Sequence, residues 1–110
     1  FKGEGAFQIY LARVERLEGR LTEAQAHIEQ GIAKLEQTQQ HYYLAVAHCE
    51  QGQLALVQKN RRLAKTRLSQ AQNFAKQSEV NPRTELGVCI QQLEKSLEHT
   101  RGIIDKLFGR

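Results

Sequence analysis

Sliding the sequence along itself by forty residues lays one side-chain pattern over another. Ala12 falls on Gly52, Val14 on Leu54, Leu17 on Val57, Ala24 on Ala64, Ile28 on Leu68, Gly31 on Ala71 and Leu35 on Ala75. Matching positions share size as well as polarity. Small residues recur where two helices must approach closely, and larger aliphatics recur where the gap must be filled. A stride of this length is the mark of a stacked repeat, in which each unit leaves an apolar face that only its neighbour covers.

Within each unit the apolar spacing is helical, stepping by three and four residues. The first segment, about 5–18, carries Phe7, Tyr10, Leu11, Val14 and Leu17 and stops at Gly19, a residue free to take the left-handed conformation that ends helices. The second runs to about 39 with Ala24, Ile28, Ile32 and Leu35, and Thr22 with Gln25 predicts a capping box at its start. The third, about 41–58, carries Tyr42, Tyr43, Val46, Ala47, Leu54, Leu56 and Val57. Asn60 is the expected cap of a fourth that ends near Ser78 and carries Leu63, Ala64, Leu68, Ala71, Phe74 and Ala75. Asn81-Pro82 then supplies a cap and a first-turn proline for a fifth, about 83–108, with Leu86, Ile90, Leu93, Leu97, Ile104 and Phe108 near one stripe and Gly102 interrupting it. The reading is one all-α domain over 1–110: hairpin 5–39, hairpin 41–78 and a long C-terminal capping helix over 83–108.

Leu11-Ala12, then Leu17-Glu18-Gly19-Arg20-Leu21-Thr22-Glu23-Ala24, then Ile28 and Gly31, resemble the signature of the tetratricopeptide repeat. Ala12, Gly19, Ala24 and Gly31 stand where that family keeps its small packing residues, with Gly52, Ala64 and Ala71 in the second copy. Lys59-Asn60 replaces the turn glycine there. Glu15 and Ala55 stand where an aromatic is usual, the closing proline is missing, and the forty-residue stride makes a long-helix variant. Gly52-Gln53-Leu54-Ala55-Leu56 and Glu85-Leu86-Gly87 are similar to stretches in bacterial multidomain regulators and kinases that carry such arrays. The resemblance implies a right-handed stack of antiparallel hairpins and a protein–protein interaction or scaffold module from a larger signalling protein.

Composition agrees with an all-α chain: one Pro among 110 residues, with Ala, Leu, Gln, Glu, Lys and Arg, the good helix formers, dominant. The chain opens at Phe1 and holds no Met, which suggests a part of something longer. Cys49 and Cys89 lack a CxxC partner, and two buried thiols predict a cytoplasmic setting. No apolar run approaches the roughly 20 residues of a membrane span. Phosphate-binding glycine loops, HExxH and GxSxG are absent from the sequence, and the four histidines are scattered. No enzyme, metal or cofactor is expected.

The expected working surface is the concave face formed by the first helix of each pair. By the resemblance, Ile9, Arg13, Arg16, Cys49, Gln53 and Leu56 are the candidate groove residues, with the two arginines suited to a carboxylate-bearing protein or peptide. A second reading rests on the net charge of +4 and on Lys59, Arg61, Arg62, Lys65 and Arg67, a basic stretch that also includes Lys76. It would make a nucleic-acid-binding repeat, although no aromatics are interleaved with those cations. A third is architectural, a spacer or homodimer joined through Ile103, Ile104, Leu107 and Phe108 of the C-terminal helix.

Overall fold

The structure, a computed structural model, describes residues 3–108. Five helices follow in chain order: α1 (Glu4–Leu17), α2 (Leu21–Gln37), α3 (His41–Val57), α4 (Arg61–Gln77) and α5 (Glu85–Phe108). There is no strand among the described residues. The architecture is an all-α array in which α1 pairs with α2, α3 with α4, and α5 packs on both α3 and α4. Because consecutive helices are antiparallel, α1, α3 and α5 run parallel.

The turns reveal a pitch finer than the forty-residue repeat. Left-handed residues stand at Gly19, Gln39, Lys59 and Glu79, twenty residues apart, with φ of 81°, 55°, 64° and 52°. After each, the next amide donates back five residues: Arg20 to the Glu15 carbonyl at 2.8 Å, Gln40 to Leu35 at 3.0 Å, Asn60 to Ala55 at 2.7 Å and Val80 to Ala75 at 2.9 Å. That closure satisfies orphan helix carbonyls at every turn. Lys59 therefore does the work of Gly19 in the second copy, with a Cβ in a region that suits glycine better.

Asn60 caps α4 as expected, its side chain accepting from Leu63 N at 3.1 Å. The other starts differ. Arg20 precedes α2 with no side-chain cap, so Thr22 lies inside the helix and the expected capping box does not form. Pro82 sits in the turn before α5, not in its first helical turn. There the amides are met by Asn81 Oδ1 on Arg83, Thr84 Oγ1 on Gly87 and the Tyr42 hydroxyl on Leu86. Gly102 does not interrupt α5, which runs unbroken to Phe108.

Small residues set the crossings. Ala24 and Ala64 are both 0% exposed, and Gly31 and Ala71 are buried at the equivalent place further along. A Cβ on Gly31 would lie 2.7 Å from Ile9 Cδ1 and 3.0 Å from the Gly5 carbonyl, so α1 and α2 meet glycine to glycine. The second hairpin carries Ala45 and Ala71 there. Ala24→Leu is expected to overpack this seam and cost about 1–3 kcal/mol, read as a lowered thermal midpoint with helical content retained.

One register differs from expectation. Val14 and Leu17 are 50% and 71% exposed, whereas Leu54, set opposite Val14 by the repeat, is 1% exposed. The buried face of α1 is Gly5, Ala6, Ile9, Ala12 and Glu15. Glu15 is kept inside by His27 of α2, Nδ1 to Oε1 at 2.5 Å. The polar pair hides a core position behind a charge, and copy two fills the same place with Ala55.

Candidate interaction cleft

Parallel α1, α3 and α5 enclose a cleft of about 340 Å³ lined by Arg13, Arg16, Leu17, Cys49, Glu50, Gln53, Cys89 and Gln92. Its wall is an internal ion network. Glu50, 4% exposed, accepts from Arg13 Nε at 2.6 Å and from Arg16 Nε at 3.1 Å. Arg13 also donates to Cys89 Sγ at 3.4 Å, approaches Glu85 at 3.7 Å and lies 5.2 Å from the Tyr10 ring centroid. Tyr10 closes the circuit by donating to Glu85 Oε2 at 2.7 Å. Three helices distant in sequence are thereby tied by charge-assisted bonds.

Titration behaviour follows from this burial. Desolvation alone would lower the Arg13 pKa, but the bond to Glu50 and its charge outweigh that and hold it above the ordinary guanidinium value. Burial, then the bond to Glu85 and that carboxylate's charge, push the Tyr10 phenol well up. Burial, with Cys89 and Glu50 nearby, pushes the Cys49 thiol up to about 12. Burial likewise raises Cys89, although Arg13 opposes it. Neither thiol is primed for nucleophilic chemistry, which needs a thiolate near neutral pH.

Of the expected groove residues, the structure brings Arg13, Arg16, Cys49 and Gln53 to one cleft. Ile9 does not reach it: the side chain is 1% exposed and packs in the core against the Gly31 crossing. Cys49 is 2% exposed and forms part of the floor, not an open contact. Leu56 lies further along, in a neighbouring depression with Val57, His99 and Thr100. Both arginines are paired within the chain. Glu50 already occupies both Nε donors, and with Glu85 it balances their charge. Among the described residues, the Arg16 terminal nitrogens and the Gln53 and Gln92 side-chain amides, all lining the cleft, have no internal hydrogen-bond partner.

The basic stretch is dispersed around α4. Arg61 donates to the Leu97 carbonyl at 3.3 Å, and with Lys65 it shares a cleft of about 940 Å³ with Glu94, Glu98 and Asp105 of α5. Arg67 bonds Gln70 at 3.0 Å and faces Glu29, Glu36 and His48. Burial, then the Arg67 charge, lowers the His48 pKa. Lys59 takes the left-handed turn position, and Arg62 is exposed. Acidic residues of α2 and α5 thus face much of this charge, where a phosphate-binding surface needs it on one face.

No protein-family model, curated protein or solved structure matches the chain. The described residues hold no group of three or more His, Cys, Asp or Glu able to bind a metal ion, and no helix among them is long and apolar enough to cross a membrane. Glu50, Glu85 and Gln92 escaped sequence inspection. The available signal was Glu50 itself, a lone acid within the apolar third helix, where an unpaired carboxylate is costly.

Proposed function

We propose that this chain is a protein-interaction module that receives a segment of a partner protein in the α1–α3–α5 cleft. The observation that carries the reading is the composition of that cleft. The Glu50 network fixes its walls, Leu17 supplies an apolar lip, and the Arg16 terminal nitrogens and the Gln53 and Gln92 amides present hydrogen-bonding groups that no other described residue uses. Amide and guanidinium groups of this kind suit a peptide backbone and its carbonyls, which need donors and acceptors in a fixed row. A pre-formed wall lowers the ordering cost of binding.

The similarity of Gly52–Leu56 to arrays in bacterial regulators supports a signalling parent, and two buried free thiols suit a reducing, cytoplasmic setting. The test is affinity capture with Leu17→Asp, Gln53→Arg and Gln92→Arg, each verified to melt like the native chain. Loss of a reproducible partner in these variants supports the cleft. An unchanged partner set rules it out. Arg13 and Arg16 are poor choices for this purpose, because reversing either also dismantles the Glu50 network.

A further inference from the structure

α5 is 24 residues long, against 17 in α3 and α4. Leu86, Ile90, Leu93, Leu97, Thr100, Ile104 and Leu107 alternate by four and three, a heptad seam along one face that is apolar at every position but Thr100. The first part of that seam is covered: Leu93 is 0% exposed and Leu97 6%. α3 ends at Val57, beside His99 and Thr100, and α4 starts at Arg61, beside Leu97. From about Arg101 the helix runs past the end of α3 and the start of α4 for roughly two turns, with Arg101, Ile104 and Asp105 on one side still lining the open cleft that Arg61, Lys65 and Leu68 of α4 share. On this overhang the same seam opens toward its end, with Ile104 at 37% and Leu107 at 73% exposed, widened by Ile103 and Phe108.

We propose that the overhang is a self-association surface, occupied by the α5 overhang of a second copy running antiparallel. Sterics decide the direction. The seam is one face of one continuous helix, and α3 and α4 fill the space over its first part. A parallel partner laid on that face would have to occupy the volume α3 and α4 already hold. An antiparallel partner overlaps only along the overhang, and its own α3 and α4 lie past Phe108.

Charge agrees. With the two-fold axis near residues 103–104, Ile104 meets Ile104 of the other copy, Thr100 meets Leu107, and Arg101 stands opposite Asp105 on the same flank. Within one chain, Arg101 and Asp105 make only a loose pair at 4.0 Å, with side chains 66% and 41% exposed, at the edge of the cleft that Arg61 and Lys65 also line. The contact is isologous, each pairing occurring twice, so it closes at two copies without forming a filament. Its short overlap places it among weak, reversible interfaces.

The test is sedimentation equilibrium of the full chain over a wide concentration range. The expected result is a weight-average mass rising toward twice that of one chain. Leu107→Glu, at an exposed position, should abolish the rise and leave the thermal midpoint unchanged. Arg101→Asp or Asp105→Arg alone should weaken association several-fold, and the two together should restore it. A single-chain mass up to millimolar concentration overturns the proposal, as does a dimer that survives Leu107→Glu. Failure of the double exchange to restore association overturns the antiparallel register.

Discussion

Leu93→Ala is expected to lower the unfolding free energy by about 3–4 kcal/mol, within the range for a fully buried leucine cut to alanine. The side chain is 0% exposed and clusters with Ala55, Ala64 and Leu97. It also fills the hollow left by Gly52, where an added Cβ would lie 2.6 Å from Leu93 Cδ2. Gly52 and Leu93 are thus one knob and hole joining α3 to α5. Gly52→Ala alone should be mildly destabilising because the leucine tip must shift. Combined with Leu93→Ala, it should cost less than the sum of the two single changes, because the new methyl enters vacated space. Chemical denaturation of the four proteins gives the coupling. Additive effects would mean that α5 does not seat on Gly52.

Glu50→Ala is the second large expected loss, roughly 2–4 kcal/mol. It removes the acceptor of two guanidinium groups whose side chains retain only 29% and 16% of their exposure, leaving both charges partly desolvated. Partial access to water keeps the cost below that of a wholly buried cation. Glu50→Gln preserves volume and one acceptor oxygen, so it should recover part of the loss. The loss should also appear as faster amide exchange at the α1–α3 contact. Equal melting of all three proteins would mean that the network contributes nothing to holding the cleft walls.

The helices were legible because their signals are local: apolar spacing, a glycine or asparagine at turns, and alanine at crossings. Ala24, Ala64, Gly31 and Ala71 were found because close approach admits few side chains, so size alone marks them. The orientation of α1 was not legible. Its large apolar residues Phe7, Leu11 and Val14 follow helical spacing, yet Phe7 and Val14 lie mostly in the open. The actual core stripe is made of small residues and one glutamate, and Glu15 reads as a surface residue until His27 is placed beside it. The cleft was half legible. Arg13, Arg16 and Gln53 follow from helix face, but their partner Glu50 is more than thirty residues away and only the packing of α1 on α3 brings it near. The surroundings of the basic stretch were not legible for the same reason, since the acids facing it come from α2 and α5.

The central claim is a helix–turn unit of twenty residues, each closed by one residue in the left-handed region and used four times in succession. Its most direct measurement is the stability of Gln39→Gly, Lys59→Gly and Glu79→Gly, singly and combined. Relief of the Cβ strain should raise stability by about 0.5–1 kcal/mol at each site, additively because the turns are separate, whereas Gly19→Ala should lower it by a similar amount. Destabilisation by all three glycines, which is what an ordinary right-handed helical position would give, would contradict the account.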